Sequence, residues 1–219
     1  EYVLKMFCIN CIKKGRFVMM TILYEVHKNL YVNMTNKCSC ACTFCLRQTR
    51  DEMEHSGSLW LDREPTVEEV KAEFAKFDMS KYEEVVFCGF GEPTMRLDDM
   101  LEVMDFIKET YHKPIRVNTN GLASLYYKKD VTPLFKDRAD TVSISLNTPN
   151  PERYYELTRN RFGLEGFDGL LEFAKNIKKY VPHVVLTTVD TTLTKEEEEE
   201  CRGICNKLGV TYRIRPWED

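Results

Sequence analysis

Four cysteines fall within eight positions of the stretch TNKCSCACTFCLRQ: Cys38, Cys40, Cys42 and Cys45. Thiols this dense close disulfides, pack as small apolar side chains or bind metal as thiolates. Nine cysteines in 219 residues are too sparse, and odd in number, for a disulfide scaffold. Cys38, Cys42 and Cys45 follow C-x3-C-x2-C, offsets that also line one helix face. The intervening Ser39, Cys40, Ala41 and Thr43 make no amphipathic helix, so metal ligation leads. Zinc has one route: Cys8 and Cys11 pair as C-x2-C and, with Cys42 and Cys45, make up a tetrahedral set. That route needs a longer chain between pairs than a usual zinc ribbon and leaves Cys38 and Cys40 without a role. A cubane iron-sulfur cluster is the other: it normally takes four thiolates, so three from one loop leave one iron open. Cys40 is then a spare thiol.

These thiols are positioned by a chain that alternates short β-type runs with helical patterns. Strands are expected at 30–35, 84–89, 115–119, 141–146, 183–189 and 210–215, and helices at 67–77, 97–110, 130–137, 166–180 and 194–208. Thr66 and Glu69 form a capping box that opens the first helix. Strands separated by helices run parallel with right-handed crossovers, which leaves an open doubly wound sheet or a full or partial barrel. Polar residues recur where strands end: Asn36, Lys37, Glu92, Asn118, Asn120, Asn147, Asp190 and Arg215. In parallel α/β folds that end is the active face. Cys88, Cys201 and Cys205 read as buried packing. A net charge of −4 gives no global reason to expect nucleic acid. The apolar run at 17–24 is too short to span a bilayer and follows no cleavable signal pattern, so a cytoplasmic protein without membrane contact is expected. Residues 1–19 stand apart as an N-terminal extension of unknown role.

The cysteine spacing after the strand at 30–35 resembles that of the radical S-adenosylmethionine (SAM) superfamily, and GFGEPT at 89–94 resembles its Gly-Glu-Pro element. VNTNG at 117–121 and SISLN at 143–147 resemble its third and fourth strand regions. Overall, YVNMTNKCSCACTFCLRQ and GFGEPT are most similar to the TatD-associated radical SAM proteins. The resemblance implies an α/β fold, a partial (β/α)6 TIM-like barrel with its core domain over 20–219. It implies a [4Fe-4S] cluster on Cys38, Cys42 and Cys45, with SAM on the fourth iron. Phe44 is then near the adenine, Gly91, Glu92 and Pro93 near the methionine amino group, and Asn118 at the ribose. Ser143 and Ser145 share one strand face toward the interior.

The implied reaction is reductive cleavage of SAM to a 5′-deoxyadenosyl radical that abstracts hydrogen from a substrate. A small molecule is preferred over a protein activated by radical transfer, with an electron donor such as flavodoxin or ferredoxin and a link to a TatD-like nuclease. The chain leaves no room for an auxiliary-cluster domain after the last strand. A second pocket draws on Asn147, Asp190, Arg213, Arg215 and Trp217. Arg213 and Arg215 share a face that can clamp an anion, or they are solvated charges on a terminal strand, the reading preferred here. Arg159 and Arg161 are a further anion candidate.

Overall fold

The computed structural model describes residues 20–54 and 56–216. The expectations for Cys8, Cys11, Trp217 and the 1–19 extension therefore lie outside the described residues. Seven strands form one sheet in sequence order: β1 (Leu23–Val26), β2 (Asn29–Val32), β3 (Glu84–Phe87), β4 (Ile115–Thr119), β5 (Thr141–Ser145), β6 (His183–Val189) and β7 (Thr211–Arg215). From β2 to β7 every pairing is parallel, as the intervening helices require. The six expected strands are all present.

β1 was not expected. It pairs antiparallel with β2 through a two-residue turn in which His27 takes a left-handed φ of 53°. Neither Asn-Gly nor any glycine marks this turn, which is why the hairpin was illegible.

The helices are α1 (Val67–Glu73), α2 (Leu97–Tyr111), α3 (Ala123–Tyr127), α4 (Pro151–Thr158), α5 (Glu165–Ile177) and α6 (Lys195–Leu208). Capping boxes open α1 and α6, at Thr66 with Glu69 and at Thr194 with Glu197. The helix expected at 130–137 is instead a short 3-10 turn, Thr132–Phe135, and the helix in this crossover is α3. Proline at the start of that turn and a left-handed Lys128 after α3 keep the two pieces from merging. α4 was also missed, although Asn150 caps it and Pro151 occupies its first turn.

Strand alternation divides the sheet into two chemistries. Val85, Val117, Val142 and Ile144 are fully buried in one core with Met100, Met104 and Ile107 of α2 and with Leu170 and Phe173 of α5. Tyr31, Arg116, Asn118, Ser143, Ser145 and Thr187 alternate with these and line a cavity on the sheet's other face. Cys201 and Cys205 of α6 are buried in the core, as expected.

Removing the α6 cap tests this framework. Thr194→Ala is expected to lower unfolding free energy by about 1 kcal/mol in urea titration, and Thr194→Ser to leave it nearly unchanged. Equal stability in all three proteins would show that the capping box does not hold α6.

Candidate cofactor site

The cysteine loop leaves β2 and is held by the end of α4. The last carbonyls of a helix lack intrahelical partners. Here Leu157 O accepts from Thr43 N at 2.9 Å and Thr158 O from Ala41 N at 2.9 Å, so the loop supplies the missing donors. Arg161 N donates to Ser39 O at 3.1 Å on the same side.

The Gly-Glu-Pro segment holds the loop from the other flank. Glu92 N donates to Lys37 O at 2.8 Å. A Cβ on Gly91 would lie 2.2 Å from Thr35 O and 2.7 Å from Lys37 O, so only glycine allows this approach. The buried Glu92 carboxylate accepts from Thr94 Oγ1 (2.6 Å), Thr94 N (3.2 Å), Thr119 Oγ1 (2.7 Å) and Asn120 N (2.7 Å). Burial pushes this carboxyl above its ordinary value, against the lowering by those donors. Asn120 passes the connection on, its side-chain amide donating to Ser39 Oγ at 3.0 Å and Cys40 Sγ at 3.5 Å. Gly121 beside it turns the chain at φ 76°, so the Asn-Gly pair both turns and binds.

The thiols are not equivalent. Cys40 is buried and hydrogen-bonds to both Cys38 and Cys42, which draws those two thiols below the ordinary value and drives Cys40 far above it. The Arg47 charge adds to the lowering at Cys38 and Cys42. Cys45 is pushed up by burial. The hydrogen bonds of Cys40 thus favour the thiolate form of Cys38 and Cys42 and the protonated form of Cys40.

Cys38, Cys42, Cys45, Phe44, Glu92, Asn118, Ser143 and Ser145 line one cavity of about 890 Å³. Gly91 and Pro93 do not: Gly91 faces the Thr35–Lys37 backbone, and Pro93 is buried at the start of a 3-10 turn. Among the described residues, no three cysteine, histidine or acidic groups converge on a single metal-ion position. A cubane places each thiolate on a different iron, so its ligands surround a volume rather than a point. Three thiols around one cavity fit that demand better than they fit one zinc ion.

The cavity also holds buried polar atoms with no partner: Asn118 Oδ1, Asn147 Oδ1, Tyr154 Oη, Arg116 Nε and Arg215 Nε. Such orphans are rare inside proteins, and several around one cavity indicate a polar ligand. Tyr154 was missed because it lies on the unread α4; burial raises the pKa of its hydroxyl, and the charge of nearby cysteines and Glu92 adds to the rise.

Other expectations need correction. Cys88 directly follows β3 on the inward-facing side and lines the cavity, half-buried, rather than packing in the core. Asn36 and Lys37 do not reach the cavity, since Asn36 pairs with the Leu61 backbone and Lys37 with Glu64. Asp190 is exposed and braces β7, its N–H donating to Arg215 O at 2.8 Å. Arg161 lies over the Tyr126 and Phe162 rings and Arg159 is exposed, so neither lines the cavity. Arg213 and Arg215 do line it, Arg213 exposed to solvent as the preferred reading expected and Arg215 half-buried.

Residues 32–211 match the family model of the Radical SAM superfamily. A probable GTP 3′,8-cyclase of Thermococcus kodakarensis is 31% identical over 188 residues, which are 85% of this chain and 55% of that protein. The chain thus spans about half the length of that curated relative. Among solved structures, Streptococcus suis SuiB bound to its precursor peptide SuiA superposes with a TM-score of 0.67 at 17% identity, over 90% of this chain and 41% of that one. SuiB bound to S-adenosylmethionine gives 0.65 at 17% identity, over 86% and 40%. Both structural likenesses concern the fold.

Two substitutions test the brace between these segments. Gly91→Ala is expected to cost about 1–3 kcal/mol in urea unfolding, because the new methyl meets backbone carbonyls. Glu92→Gln tests pH. A carboxyl raised on folding binds its proton more tightly in the native state, so its contribution falls as pH rises above the ordinary 4.5. The stability difference, wild type minus Glu92→Gln, is expected to shrink over that rise; a constant or growing difference would show that the carboxyl is not raised.

Proposed function

Because this chain belongs to the radical SAM superfamily, we propose that Cys38, Cys42 and Cys45 hold a [4Fe-4S] cluster whose open iron takes SAM, and that 20–219 is the catalytic core acting on a small molecule. When bound, this pair supplies a 5′-deoxyadenosyl radical that takes hydrogen from the substrate. The observation that carries the proposal is the meeting of three thiols and several unpartnered polar atoms around one cavity.

The chain's own contributions follow from the site. Cys40 hydrogen-bonds to Cys38 and Cys42 and favours their thiolate form, the form that ligates. Arg47 favours their thiolate form. Asn118, with an unpartnered Oδ1, suits vicinal hydroxyls of the ribose. Phe44 offers a face to the adenine. Gly91 and Pro93, outside the cavity lining, flank Glu92 and hold the segment whose backbone would meet the amino group. Ser143 and Ser145 add hydroxyls on the inner strand face. Together these groups orient the cofactor and exclude water, and the hard chemistry belongs to the cofactors.

A small-molecule substrate is supported by the name of the Thermococcus kodakarensis relative, a probable GTP 3′,8-cyclase. An electron donor such as flavodoxin or ferredoxin belongs to the proposal. The finer likeness to TatD-associated radical SAM proteins, and with it a link to a TatD-like nuclease, rests on the motifs at 31–48 and 89–94. No described helix is long and apolar enough to cross a membrane, and the proposed setting is the cytoplasm.

Anaerobic reconstitution is expected to give a brown protein with about four irons per chain. Added SAM should perturb its electron paramagnetic resonance spectrum, and dithionite should then release methionine and 5′-deoxyadenosine. Cys42→Ser should abolish this release and Cys40→Ser should preserve it. A colourless zinc protein, or dependence on Cys40 equal to that on Cys42, would overturn the assignment.

A further inference from the structure

Three arginines outside the cysteine loop line the cavity. Arg116 and Asn118 point inward from β4, with Arg116 nearer the strand's start, two residues further from the cysteine-bearing mouth. Arg213 and Arg215 point inward from β7, and Arg213 Nη2 approaches Ser143 Oγ at 3.4 Å. Arg116 contacts Glu84 at 2.8 Å and Tyr31 Oη at 3.5 Å. Among the described residues Arg213 and Arg215 make no ion pair, so of the three guanidiniums only that of Arg116 meets a carboxylate, Glu84.

Arg213 and Arg215 thus bring positive charge without an ion-pair partner to a concave site, and the buried Nε atoms of Arg116 and Arg215 have no acceptor. Burial, then the charges of Arg116 and Arg215, lower the pKa of Arg213, which reports the mutual repulsion. Arg213 is exposed and Arg215 half-buried; like charges held close together cost free energy unless an anion joins them, and guanidiniums suit the planar geometry of oxyanions. Glu84 apart, the side-chain acceptors that Arg116 and Arg213 contact are the neutral hydroxyls of Tyr31 and Ser143.

We propose that Arg116, Arg213 and Arg215 bind an oxyanion of the substrate, a phosphate or carboxylate group, within this cavity. The rest of the substrate then extends toward the cysteine loop, where its hydrogen is taken. The assignment deepens the radical SAM reading and rests on it for the word substrate; the anion site itself does not require the cluster.

Isothermal titration of the reconstituted protein with inorganic phosphate, inorganic pyrophosphate and citrate tests it, with SAM titrated separately. At least one anion should bind wild type, phosphates and citrate distinguishing the two sources of oxyanion. Arg215→Gln and Arg213→Gln should each weaken that binding about tenfold or more, Arg215→Lys should weaken it less than Arg215→Gln, and SAM affinity should change less than twofold. Arg116→Gln leaves Glu84 unpaired; if it unfolds, the two β7 variants decide. No anion binding to wild type, or unchanged anion binding in folded variants, would overturn the proposal. Equal loss of SAM affinity would assign the arginines to the cofactor instead. Methionine release without any anion reads the radical SAM assignment separately, so either reading can fail alone.

Discussion

The buried carboxylate of Glu92 is the joint on which the site depends. A carboxylate taken out of water costs several kcal/mol unless donors surround it. Four donors from Thr94, Thr119 and Asn120 do so, and they come from two different strand ends. The same residue's N–H meets Lys37 O, while Gly91 lets the backbones touch. One residue, through its side chain and its backbone N–H, therefore ties the loops after β2, β3 and β4 into a single rim. The cysteines inherit their positions from that rim.

α4 supplies the second anchor by a different mechanism. Its terminal carbonyls need donors, and the cysteine loop needs acceptors because it forms no ladder of its own. Each satisfies the other. The loop is thus held at both flanks by main-chain groups, which leaves the Cys38, Cys42 and Cys45 side chains free for the cavity. Within the loop, Cys40 and Arg47 act in the same direction on the neighbouring thiols, one by hydrogen bonding and one by charge. Arg116, Arg213 and Arg215 add positive charge to the cavity wall.

Much of this was legible before any coordinates. Strand alternation placed Ser143 with Ser145 and Arg213 with Arg215, and the spacing of Cys38, Cys42 and Cys45 separated them from Cys40. Arg116 was overlooked although it shares a face with Asn118, because attention to strand ends passes over a residue near a strand's start. The β1 hairpin lacked glycine, and α4 is short with prolines at 149 and 151 around its start, so neither carried a strong local signal. Tyr154 was lost with α4.

The sequence by itself determined the order of elements, the parallel sheet, the thiol spacing and the alternation of apolar and polar faces, since all of these follow from local periodicity and the short reach of turns. Tertiary structure alone decided that Glu92 braces the rim, that α4 anchors the cysteine loop and that three arginines from β4 and β7 meet. Those contacts join residues up to about a hundred positions apart in the chain, and no local pattern encodes which buried donor will find which acceptor.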